Sequence, residues 1–111
     1  MTTPTIDAPR FWSTVVRSGE IGPGKAGGLR RLALTDADKE MRDLFVTWCT
    51  EAGCTVTVDR VGNVFARRPG TDDHLAPVLM GSHLDTQVAG GKYDGIVGVL
   101  AGLEVLRTLD D

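Results

Sequence analysis

The fifteen residues Gly81-Ser82-His83-Leu84-Asp85-Thr86-Gln87-Val88-Ala89-Gly90-Gly91-Lys92-Tyr93-Asp94-Gly95 constrain this chain more than any others. They crowd one imidazole, two carboxylates and four glycines between two apolar segments. Val78-Leu79-Met80 leads in, and a run from Ile96 to Leu109 leads out. A short apolar run, a polar glycine-rich stretch and a long apolar run read as a strand, a chemically equipped loop and a helix.

Pro77 to Ser82 has the unbroken apolar character of a strand buried on both faces, so a central position is expected for it. After the loop, Ile96, Val97, Val99, Leu100, Ala101, Leu103, Val105, Leu106 and Leu109 make a helix apolar on several sides, which needs protein around it. Gly95, Gly98 and Gly102 fall along one ridge of that helix. A glycine inside a helix costs about 1 kcal/mol against alanine. The ridge is therefore expected to let a strand approach the helix backbone.

Upstream, residues 8–18 carry Phe11, Trp12, Val15 and Val16 at helical spacing, with Gly19 as the stop. Five glycines and a proline between Gly19 and Gly28 predict a mobile loop without regular structure. Thr35-Asp36-Ala37-Asp38 puts a hydroxyl at a helix N-cap and a carboxylate three residues on, close to a capping box. Met41, Leu44, Phe45, Trp48, Cys49 and Ala52 then form one apolar face, and Gly53 ends the helix. Cys54–Asp59 and Val64–Arg68 alternate about Arg60-Val61-Gly62-Asn63 and predict an antiparallel hairpin. Residues 69–74 are a polar turn region that leaves His74 at the surface.

A chain of 111 residues is within the size of one domain and buries about two-thirds of its unfolded surface. The overall expectation is the opening part of an α/β domain, with helices packed on a mixed sheet and the hairpin beside the central strand. A net charge of -3 offers no basic field for nucleic acid or anionic lipid. No apolar stretch reaches the roughly 18 residues of a membrane span. The first residues have neither a basic nor an apolar leader region, so the cytoplasm is the expected location. Cys49 and Cys54 read as reduced packing residues rather than a disulfide or thiolate site.

The chemistry concentrates in the loop. If 81–85 continues the strand direction, His83 and Asp85 project from one face. A neutral imidazole suits zinc or a similar divalent ion, and a carboxylate beside it can take the other ring N–H. Asp94 opens the helix eleven residues later. Gly90 and Gly91 allow the chain to double back and bring it beside His83. A carboxylate there can bridge two metals. Gly91-Lys92 lacks the rest of a phosphate-binding loop, and Ser82 lacks the setting of a nucleophilic elbow.

Residues 81–87, Gly90-Gly91-Lys92-Tyr93-Asp94-Gly95 and 98–104 closely resemble the group comprising N-carbamoyl-L-amino acid hydrolases, beta-ureidopropionases and allantoate amidohydrolases. That group lies within the dinuclear-metal aminoacylase and carboxypeptidase superfamily. The likeness extends to Arg10-Phe11-Trp12, to Arg31-Leu32-Ala33-Leu34-Thr35 with Asp38, to Trp48, and to 59–63. The short separation of His83 from Asp94 favours the carbamoylase branch.

The resemblance implies the N-terminal part of a metal hydrolase catalytic domain. It implies two divalent ions, zinc or manganese, cobalt or nickel, with His83 a ligand to one, Asp94 bridging both and Asp85 orienting His83. It implies a cis peptide between Asp94 and Gly95, and a substrate-pocket role for Gln87. Val88-Ala89 stands where the family commonly has Pro-Thr. The implied substrate is a small ureido acid, and the full-length enzyme is implied to be a homodimer. The remaining ligands, the general-base glutamate, the substrate-clamping arginine and the dimerisation domain would lie beyond residue 111. Aminoacylase or dipeptidase activity, and a noncatalytic fragment, stay open as alternatives.

Overall fold

A computed structural model describes residues 2–111. Three helices, α1 (Ala8–Ser18), α2 (Asp36–Glu51) and α3 (Ile96–Asp110), surround a two-stranded antiparallel hairpin of β1 (Thr55–Val58) and β2 (Val64–Arg67). The α/β character expected from the pattern is present.

The caps follow the local chemistry. The Asp7 carboxylate accepts the Arg10 N–H at 3.0 Å and starts α1. Thr35 Oγ1 accepts the Asp38 N–H at 3.3 Å, and the Asp38 carboxylate in turn accepts the Leu34 N–H at 3.0 Å. The reciprocal arm of the capping box thus lands one residue further out than the usual pattern. α2 ends in a Schellman turn: Cys54 N–H donates to Cys49 O, Gly53 N–H donates to Thr50 O, and Gly53 takes φ +84°.

Val15, Ile21, Met41, Ile96 and Leu100 form the main core, with Phe11, Leu44, Phe45, Trp48 and Leu84 packed against it. Cys49, Cys54 and Leu103 form a second cluster beneath Val56 and Ala66 of the hairpin. Both thiols are free and buried, and burial pushes Cys49 up to about 12, so they are inert packing groups. On α1, Trp12 and Val16 stay about half exposed and Thr14 and Ser18 turn inward instead. Trp12 packs against Tyr93, ring centroids 6.1 Å apart.

α1 is tied to α3 by a two-pronged ion pair. Arg10 Nη2 and Nε donate to Glu104 Oε1 and Oε2 at 2.7 and 3.0 Å, and Asp7 N–H donates to the same carboxylate at 3.1 Å. The Arg10 hydrogen bonds hold the Glu104 carboxyl below its usual range.

Two expectations are corrected. Residues 77–82 form no strand, and Val78 and Leu79 are 94% and 78% exposed rather than buried. A strand exists only through bonded neighbours, and among the described residues the one hairpin pairs with itself. One side of the segment is nevertheless covered. A Cβ on Gly98 would lie 2.8 Å from Ser82 Cβ, and one on Gly102 would lie 3.7 Å from Met80 Sδ. The glycine ridge of α3 thus receives this segment as its spacing suggested.

The glycine-rich stretch 19–28 is also more ordered than expected. It holds the buried Ile21, a 3-10 turn at Lys25–Gly27 and an isolated bridge from Pro23 to Leu29. Leu29 bridges in turn to Gly90, with reciprocal N–H···O bonds of 2.8 Å. The glycines serve close approach here: a Cβ on Gly28 would lie 2.7 Å from Gly90 O.

Candidate functional site

The loop before α3 is held from below. Leu84 packs on the core while His83 and Asp85, on either side of it, stay on the outer face. Arg31, absent from the expected site residues, is fully buried beneath this turn. Its Nε donates to Leu84 O at 3.0 Å, its backbone N–H donates to Thr86 Oγ1 at 2.8 Å, and its carbonyl accepts Thr86 N–H at 2.7 Å. Its Nη1 donates to Ser18 O and Ile21 O, both at 2.9 Å. Burial lowers its pKa, opposed by the charges of Asp38 and Asp85. Nothing in local spacing marks Arg31, because its partners lie 10 to 55 residues away.

His83 Nδ1 lies 2.9 Å from Asp85 O and 3.3 Å from Asp85 Oδ1. A carbonyl oxygen only accepts, so Nδ1 carries the hydrogen, and in the neutral ring Nε2 carries a lone pair. Nε2 lies 3.6 Å from Asp94 Oδ2. Two acceptor atoms therefore face each other with no hydrogen between them, an arrangement that favours a cation at that point. The donor chemistry suits a divalent ion. Among the described residues, however, no group of three His, Cys, Asp or Glu side chains is arranged to hold one.

The return that brings Asp94 back is a γ-turn. Ile96 N–H donates to Asp94 O at 2.9 Å around Gly95, which adopts φ +76°, ψ -59°. The expected cis Asp94–Gly95 peptide is absent. The positive φ of Gly95, open to a residue without a Cβ, turns the chain there instead. Gly95 also leaves room for its neighbour, since a Cβ there would collide with the His83 ring. Gln87 is exposed and lines a depression of about 190 Å³ with Thr86, Ala89, Gly90, Gly91 and Asp94. His74 is exposed.

No family model matches this chain. It is, however, 54% identical over 96% of its length to an N-carbamoyl-L-amino-acid amidohydrolase of Rhizobium meliloti. It is 40% identical, again over 96%, to an N-carbamoyl-L-amino acid amidohydrolase of Geobacillus stearothermophilus. A crystal structure of a hydantoinase/carbamoylase family amidase from Burkholderia ambifaria superposes on 99% of the chain with a TM-score of 0.96 and 58% identity. The fold thus matches part of the hydantoinase/carbamoylase family amidases. Within that class the chain belongs to the N-carbamoyl-L-amino-acid amidohydrolase family, with allantoate deiminase and ureidoglycolate hydrolase relatives at 33% identity. The chain spans 26% of the length of the Rhizobium and Geobacillus relatives and 27% of the Burkholderia structure.

Proposed function

We propose that this chain supplies part of the catalytic domain of a metal-dependent amidohydrolase that cleaves the linear carbamoyl C–N bond of N-carbamoyl amino acids or related ureido acids. The observation that carries the reading is the opposed pair of His83 Nε2 and Asp94 Oδ2, 3.6 Å apart, on a chain 54% identical to a carbamoyl-amino-acid amidohydrolase. In this reading His83 would be a ligand to one of two divalent ions, and Asp94 would be a ligand to both. The Asp85 carbonyl and carboxylate keep His83 in the Nδ1–H form, so that Nε2 stays available. Gln87, at the rim of the depression beside Asp94, contacts the substrate.

Such ions, when bound, lower the pKa of a water and polarise the carbonyl it attacks. Water adds to the carbamoyl carbon and the C–N bond to the amino acid breaks. The amino nitrogen takes up a proton from the added water as the amino acid leaves, and the carbamic acid so formed decomposes to ammonia and carbon dioxide. Two donors do not complete a coordination shell, so the remaining ligands and the general base are assigned to the rest of the full-length protein, which the reading takes to be a cytoplasmic homodimer.

The test is ammonia release by the full-length protein from a panel of N-carbamoyl amino acids, before and after chelation and metal return. Loss on chelation and recovery with zinc, manganese, cobalt or nickel is expected. Release that survives chelation, or its absence across all ureido acids, overturns the reading. Faster turnover of N-acyl or peptide substrates would move the protein to the aminoacylase or dipeptidase side of the superfamily.

A further inference from the structure

Arg31 is the largest fully buried side chain among the described residues, and the proposed chemistry makes no use of it. Its fork draws together three segments: the end of α1 through Ser18 O and Ile21 O, the 29–31 backbone, and the Leu84–Thr86 turn. Nη2 is buried without an acceptor among the described residues. What the arginine does achieve is geometric. It anchors Leu84 O on one side of Asp85, while its backbone anchors Thr86 N–H and Oγ1 on the other. The Asp85 carbonyl that meets His83 Nδ1 at 2.9 Å belongs to the same peptide as that Thr86 N–H, and the Leu84 carbonyl belongs to the peptide before it.

We propose that Arg31 is a positioning residue for His83. By clamping Leu84 and Thr86 it aims the Asp85 carbonyl at Nδ1, which selects the ring tautomer and turns Nε2 toward Asp94. The metal-affinity part of this inference rests on the proposed function; the tautomer part does not. Lysine keeps the charge but cannot supply the planar fork that reaches Leu84 O, Ser18 O and Ile21 O together.

The experiment uses the full-length protein with ¹⁵N-labelled histidine, the His83 signals being assigned by their loss in His83→Gln. Long-range ¹H–¹⁵N correlation in the metal-free state reads the tautomer, and competition with a chromophoric chelator reads Zn²⁺ affinity. The wild type is expected to show the Nδ1–H form. Arg31→Lys is expected to show a mixed tautomer and an affinity lower by roughly 10- to 100-fold. Arg42, which donates to Gly62 O of the hairpin turn at 2.7 Å, is the control, and Arg42→Lys should move neither readout.

An Arg31→Lys protein that is folded by near-ultraviolet circular dichroism, keeps the Nδ1–H form and binds Zn²⁺ like the wild type overturns the inference. If Arg31→Lys does not fold, Thr86→Val decides in its place. It removes the hydroxyl that accepts the Arg31 N–H, and an unchanged tautomer and affinity would equally overturn the inference. A wild type that shows the Nδ1–H form yet binds no divalent ion sinks the proposed function instead, leaving the tautomer arm to judge Arg31.

Discussion

Gly98 of α3 lies so close to Ser82 that a Cβ on the glycine would come within 2.8 Å of Ser82 Cβ. One turn further, Gly102 faces only the flexible Met80 Sδ, at 3.7 Å from where its Cβ would lie. The two glycines should therefore respond oppositely to alanine. Gly102→Ala should stabilise the full-length protein by up to about 1 kcal/mol through helix propensity. Gly98→Ala should destabilise it, because displacing Ser82 at about 1–3 kcal/mol outweighs the same gain. Denaturant melts of both variants check the sign, and a stabilised Gly98→Ala would refute the close packing.

Gly95→Ala should be more damaging still. The substitution places a side chain at φ +76°, strained by about 1–3 kcal/mol, and drives a Cβ into the His83 ring. Zn²⁺ affinity should fall at least about ten-fold, in the range seen when a ligand loses its support. Isothermal titration of the metal-depleted protein measures it.

Asp85 offers His83 both a carbonyl at 2.9 Å and a carboxylate oxygen at 3.3 Å, and only the second is lost on substitution. Asp85→Ala should thus keep the Nδ1–H form and weaken metal binding by roughly ten-fold. His83→Gln, which removes the ligand proposed above, should weaken it much further. Equal losses in the two variants, measured by chelator competition, would contradict the division of labour between backbone and side chain.

Glu104 carries the pH prediction. Its carboxyl is held below its ordinary value of 4.5 by Arg10, so the stability it contributes is complete above that value and is lost as the pH falls below it. Glu104→Gln should cost about 1–3 kcal/mol at pH 7, from poorly matched donors at a buried site. The gap to wild type should narrow below pH 4.5. Thermal melts from pH 7 to pH 3 test this, and a gap that widens on acidification would refute it.

Local rules explain most of what was legible in the sequence. Thr35 and Gly53 mark the ends of α2 through hydrogen bonds to residues three positions away. The apolar face of α2 and the hairpin about Asp59–Asn63 likewise need only short-range pattern. The 77–82 segment misled because an apolar run shows the need for burial without showing what supplies it. The 19–28 loop misled because its glycines serve the approach of Gly90, sixty-two residues beyond Gly28. In the site, Arg31 was illegible because its role is written entirely in partners distant along the chain. The γ-turn at Gly95 was hidden behind the expectation of a cis bond.

The exposure of Val78 and Leu79 has a consequence for handling these 111 residues as a separate polypeptide. An apolar segment backed by a helix and lacking ladder partners is a template for pairing with another copy of itself. A polypeptide limited to these residues should self-associate, visible as rising light scattering with concentration, and lysine at Val78 should suppress it. The feature that lets α3 receive this segment so closely would also hold it ready for the wrong neighbour.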